Sequence, residues 1–136
     1  MKPTERSYAH RSLYDKLGVR AGSRVALVGT HDESFVTELN VRLAQGAALR
    51  LRTIYDLIFV RVDVPSDLES IARAAIRLER RGALWIFHHK GRGAAPTDAE
   101  VRAAALAAGL VDNKISAYSA THTATRYVIP LVRRTS

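Results

Sequence analysis

The sequence predicts an α/β domain in which helices cover both faces of a mostly parallel sheet and an antiparallel hairpin closes the C-terminal end. Three observations predict it. Short apolar runs at 25–28, 57–62 and 84–87 read as strands covered on both faces. Segments with apolar residues at helical spacing lie between them and stop at Gly46, Gly82 and Gly109. The last part of the chain alternates apolar and polar residues over 111–119 and 125–132, two strands joined by 120–124.

Each element has a local reason. Residues 1–11 read as a polar, flexible lead-in and 12–136 as one domain. Ser12 and Asp15 resemble a capping box ahead of a short helix over 13–17 that Gly18 closes. Gly22-Ser23 turns the chain into the first strand. The next helix starts at Asp32–Ser34 and runs to Gly46, with Phe35, Val36, Leu39 and Leu43 on its buried stripe. Segment 47–52 alternates, but the next strand begins only four residues later. An extended link of that length spans at most ~14 Å, whereas returning along a six-residue parallel strand needs about 20 Å. The segment is therefore either a short, skewed edge strand or an extended link. The run 57–62, entered through Tyr55-Asp56, is a central strand. Ser66 and Glu69 are placed for a capping box opening a helix from Pro65 to about Arg81, with Leu68, Ile71, Ala72, Ala75 and Leu78 toward the sheet. Strand 84–87 runs into His88-His89-Lys90. After a loop with Gly91 and Gly93, Thr97 and Glu100 form a second capping box for helix 101–108. Pro130 lacks a ladder donor, so it belongs at a strand end or an edge.

Composition bounds the function. The 136 residues suit one domain, and 47% hydrophobic with 25% charged residues is ordinary for a globular protein. No run approaches the ~20 apolar residues of a membrane span, and Met1–Arg6 lacks the apolar core of a signal peptide, so a cytoplasmic location is expected. Cysteine is absent, which excludes disulfides, thiol catalysis and cysteine metal ligands. The net charge of +8 raises nucleic-acid binding as a candidate. Most of that charge is arginine spread along the chain, a pattern that favours solvated surface.

Three stretches carry a resemblance. Tyr55-Asp56-Leu57-Ile58-Phe59-Val60 resembles the fourth strand of class I methyltransferase-like Rossmann domains. Arg81-Gly82-Ala83-Leu84-Trp85-Ile86 resembles the glycine-led entry to their fifth strand, and the hairpin their sixth and seventh. The order of elements is similar to theirs with one strand–helix unit missing. More narrowly, the stretches from Leu17 to Leu27, Gly82 to Ile86 and Gly109 to Lys114 resemble a small bacterial family of unknown function related to that fold. The turn Ser119-Ala120-Thr121-His122-Thr123 departs from that family's tryptophan-containing turn. The resemblance implies a three-layer Rossmann-like sandwich and no established activity.

S-adenosylmethionine binding in the wider fold needs glycines after the first strand and an acid at the end of the second. Here Gly29-Thr30-His31-Asp32-Glu33 carries one glycine, and the place of the acid falls near Arg50 or Arg52. Asp32 and Glu33 would also repel a phosphate at the neighbouring helix start. No cofactor is therefore expected. Ligands of open α/β sheets gather outside the carboxyl ends of the strands. That rule makes Gly29, Thr30, His31, Asp63 and His88 the candidate crevice, with Asp32, Glu33, His89 and Lys90 beside them. Histidine with carboxylate can hold a metal or move protons. His88 and His89 point to opposite faces, so only one can face a given site. His31, one of that pair and Asp63 form the minimal set. His10 and His122 read as exposed, and Trp85 and Tyr127 as core.

The function expected is a degenerate or non-catalytic methyltransferase-like module that binds a small ligand or a protein partner. Homodimerisation through 111–119 or 47–52 is open if either edge is free. The alternatives are a small enzyme using the His/Asp crevice and a basic nucleic-acid-binding protein.

Overall fold

The computed structural model describes residues 12–134, so the lead-in expected over 1–11 lies outside the described residues. The elements are α1 (Leu13–Lys16), β1 (Val25–Val28), α2 (Glu33–Arg42), β2 (Tyr55–Val62), a 3₁₀ turn (Pro65–Leu68), α3 (Glu69–Ala75), β3 (Leu78–His89), α4 (Asp98–Ala107), β4 (Val111–Ala117), β5 (His122–Val128) and α5 (Leu131–Arg134). The sheet order is β1-β2-β3-β5-β4. β1, β2 and β3 are parallel, and β5 is antiparallel to both β3 and β4.

Strand alternation divides the core into two layers. Ile58, Val60, Leu84, Ile86 and Tyr127 face α3 and α4, whose Ile71, Ala74, Val101 and Ala105 pack against them. Leu57, Phe59, Trp85, Phe87 and Ala124 face α1 and α2, against Leu17, Phe35 and Leu39. Trp85 is fully buried there, and its indole N–H donates to the Leu17 carbonyl at 3.2 Å, tying α1 to the middle strand. This is the three-layer sandwich that the sequence predicts. Trp85 and Tyr127 are core, as expected.

The largest correction concerns 65–81. The helix there is short and ends at Ala75, because the chain already enters the sheet at Leu78. Tyr55 N–H donates to the Arg77 carbonyl at 2.8 Å, and Tyr55 pairs with Leu78. Residues 78–81 are thus strand, and Gly82 lies within β3 instead of closing a helix. A side chain at Gly82 would collide with the Asp56 carbonyl, which explains the glycine where the register of β2 and β3 shifts. The N-terminal cap also differs. The Asp67 carboxylate, not Ser66 with Glu69, accepts from the backbone N–H groups of Asp63 and Val64.

Smaller differences follow from local hydrogen bonding. The helix after β1 stops at Arg42, four residues before Gly46. Segment 47–52 is a link touching β1 through a single parallel bridge between Ala26 and Ala48. The hairpin strands end earlier than expected, at Ala117 and Val128, and a short helix follows Pro130. The Thr97–Glu100 capping box forms as expected, with both hydrogen bonds present. No helix among the described residues is long and apolar enough to cross a membrane.

Candidate functional site

One face of the sheet changes from apolar to polar as its strands reach their ends over α2. On β2 the series Leu57, Phe59 continues into Arg61 and, just beyond the strand, Asp63. On β3 the series Trp85, Phe87 ends in His89. On β5 the series from Val128 through Ala124 begins at His122, directly opposite His89. Period-two alternation therefore delivers Asp63, His89 and His122 to one place. One ligand atom from each lies within 4.8 Å of the others.

The geometry is close-set. His122 Nε2 lies 2.8 Å from Asp63 Oδ1, and His89 Nε2 lies 3.5 Å from the same oxygen. The two imidazole centroids are 4.1 Å apart. A carboxylate can only accept, so His122 Nε2 carries the proton in that hydrogen bond. The other ring nitrogen, Nδ1, sits 2.8 Å from the Thr121 hydroxyl. His122 is buried, whereas Asp63 and His89 remain partly open to solvent.

A chain of charges supports the cluster from below. Arg61 Nε donates to both Asp63 oxygens at 2.9 and 3.1 Å, and its Nη1 is ion-paired with Asp32 at 3.4 Å. The Tyr118 hydroxyl donates to Asp32 at 2.7 Å. Asp32 is the N-cap residue of α2 but makes no side-chain capping bond, its carboxylate being committed to Tyr118 and Arg61. Partial burial pushes the Asp63 carboxyl up, but the His122 hydrogen bond and the Arg61 guanidinium outweigh it and hold its pKa below the usual carboxylate value. Burial and the Asp32 hydrogen bond both raise the Tyr118 phenol, so it stays a donor.

The remaining sequence candidates fall elsewhere. His31 is buried between Phe35 and Phe87, and its Nε2–H donates to the Phe59 carbonyl at 2.8 Å. Burial lowers its pKa, so it is a neutral core residue beneath the site. His88 faces the opposite layer, with Nε2 3.1 Å from the Thr125 hydroxyl and Nδ1 3.3 Å from Asp98. Desolvation lowers its pKa as well, despite the neighbouring carboxylate. Gly29 has φ +88°, and an added Cβ would stand 3.0 Å from the Arg61 carbonyl oxygen, so close strand packing accounts for this glycine. Thr30 is exposed.

The structure thus joins Asp63 with His89 and His122, and does not join it with His31 or His88. The sequence places His122 in an exposed loop, and the structure places it in the cluster. It is the first residue of β5, buried at 5% exposure. Counting back by two from Ala124, on the apolar face, would have found it, as counting forward from Phe87 finds His89.

Chemically, two imidazoles and one carboxylate are a common donor set for a first-row divalent metal. Ligands on a tetrahedral ion with bonds of 2.0–2.1 Å stand about 3.3 Å apart. The two carboxylate–imidazole separations, 2.8 and 3.5 Å, bracket that value. Asp63 Oδ2 can stay with Arg61 while Oδ1 turns to an ion, and Thr121 is placed to hold His122 through Nδ1.

Neither a protein-family model nor a curated protein matches this sequence. Solved structures do resemble the fold. The magnesium protoporphyrin IX methyltransferase ChlM from Synechocystis PCC 6803, with bound S-adenosylmethionine, superposes with a TM-score of 0.66 at 14% identity, covering 93% of this chain and 81% of that one. The N-methyltransferase NodS from Bradyrhizobium japonicum WM9 gives 0.64 at 15% identity, with 95% and 98% covered. CalO1, a methyltransferase of calicheamicin biosynthesis, gives 0.65 at 13% identity over 93% of this chain, which spans 55% of CalO1. At these identities the likeness establishes architecture: the chain has a methyltransferase-like Rossmann α/β fold.

Proposed function

We propose that this chain is a binding module on a methyltransferase-like frame whose working site is a divalent transition-metal centre held by Asp63, His89 and His122. The observation that carries the reading is the meeting of these three donors, from three different strand ends, within 4.8 Å. Arg61 and Thr121 orient two of the three donors from behind, a supporting layer that metal sites ordinarily have. Asp63 and His89 are partly exposed, which leaves a coordination position for solvent or an exogenous ligand, the pattern of reactive sites. An ion held this way polarises an oxygen ligand or lowers the pKa of a bound water.

S-adenosylmethionine has less support. The loop after β1 offers one glycine, which strand packing already requires, and the following residues are committed to His31–Phe59 and Asp32–Tyr118 contacts.

Calorimetric titration of the EDTA-treated protein with Zn²⁺, and the visible absorption of a Co²⁺ adduct, test the metal. One saturable site per chain is expected, weakened at least about tenfold in His89→Ala and Asp63→Asn and unchanged in Thr30→Ala. Absence of saturation at millimolar Zn²⁺, or equal affinity in His89→Ala, would overturn the assignment. Thermal-shift titration with S-adenosylmethionine should give no response at millimolar ligand; a saturable shift would restore the methyltransferase reading.

A further inference from the structure

A groove lies on the opposite face of the sheet from His89 and His122, where β1 forms the outer parallel strand. β2 and β3 are covered there by α3, but beyond β1 the chain supplies only the Ala48 bridge and the link that follows it. The result is a groove of about 680 Å³ running from the end of β1 along the link to the last turn of α3. Its floor includes Val28 and Leu51, which pack on that layer of the core. Leu49 and Ile76 rise beside it with 75% and 76% of their surface exposed.

Three arginines share the lining, Arg50, Arg73 and Arg77, and no acidic residue does. Among the described residues none of the three makes an ion pair; Arg73 donates only to the Ser70 hydroxyl at 3.3 Å. An apolar groove whose lining includes three arginines and no carboxylate selects its occupant by charge. A purely apolar ligand would strip water from the arginines and give nothing back. A second copy docked about a two-fold axis would bring the same arginines face to face. Inorganic phosphate alone would leave the apolar wall wet. The volume lies within the range of small-molecule sites, and guanidinium forks match the oxygens of a phosphate better than any other donor.

We propose that this groove binds an organic phosphate monoester, the phosphate held by Arg50, Arg73 and Arg77 and the apolar body laid against Leu49, Leu51 and Ile76. The site is independent of the Asp63 cluster and stands whether or not that cluster holds a metal.

The test uses 1-naphthyl phosphate as the probe, titrated calorimetrically into the full chain, with 1-naphthol and inorganic phosphate as parallel arms. One saturable site is expected for the ester, at least about tenfold tighter than either half alone. Arg50→Gln with Arg77→Gln should weaken it at least about tenfold, and Ile76→Ser, an uncharged change at an exposed position, should weaken the ester while leaving inorganic phosphate unchanged. Amide shift changes on titration should centre on Val28, Gly29 and Leu51. Equal binding of 1-naphthol, affinity within about twofold in the double arginine variant, or shifts centred on His89 and His122 would each overturn the proposal.

Discussion

Replacing Asp63 by asparagine keeps the size of the side chain and removes the charge on which the site is built. Its cost can be worked from the partners left behind. Arg61 is only 11% exposed at its side chain; it loses its ionic partner and one of its two hydrogen bonds from Nε, since the amide nitrogen of asparagine cannot accept. The remaining counter-ion, Asp32, is 3.4 Å from Nη1 and half exposed. Stranding a fully buried charge costs about 3–5 kcal/mol. Asp63 is 37% exposed, so solvent screens part of that term, and about 2 kcal/mol is expected at pH 7. That is a ~30-fold change in the folding equilibrium and roughly 6–8 °C in Tm. The sign of the pH dependence follows from the lowered carboxyl pKa. The stabilisation is present above the unfolded value of about 3.9 and is lost as pH falls through the lower folded value. Urea melts of both proteins in EDTA, at pH 7 and pH 3, measure it. A loss under ~0.5 kcal/mol at pH 7, or an equal loss at pH 3, would refute the reasoning.

Two further predictions concern residues that the sequence places in the crevice and the structure places in the packing. Gly29→Ala should cost about 2 kcal/mol in the same melts, since φ +88° is strained for alanine and its Cβ crowds the Arg61 carbonyl; near-wild-type stability would show that packing does not demand this glycine. Burial lowers the pKa of both His31 and His88, so the unfolded chain binds more protons near pH 6 and stability declines as pH falls below about 6.5. His31→Phe should flatten the stability difference between pH 7.5 and pH 5.5, and an unchanged difference would count against a neutral core histidine.

The fold was legible wherever one periodicity stood alone. β1 is bounded as the sequence reads it, and the Thr97–Glu100 box opens α4 because both side chains are free to cap. The reading failed at 76–82, where Leu78 suits a helix stripe and a strand face equally well. Pairing of Tyr55 with Leu78, a contact 23 residues apart in the chain, decided for the strand. The site was half legible. Asp63 and the opposed directions of His88 and His89 follow from alternation, but which histidine faces Asp63 depends on the strand face carried through to the last residue. His122 is not legible because the sequence pattern puts the turn at 120–124, whereas β5 already begins at His122.

The pairing of His89 with His122 has a mechanical consequence. Anything that grips both rings and Asp63 at once fastens the terminal hairpin to the parallel half of the sheet, at the end of the β3–β5 ladder, beyond which the Lys90 N–H still donates to the Thr121 carbonyl at 3.0 Å. Occupancy of the site is then also a clasp on the sheet. Amides of the 118–121 turn, which joins β4 to the His122 end of β5, should exchange more slowly when the site is filled.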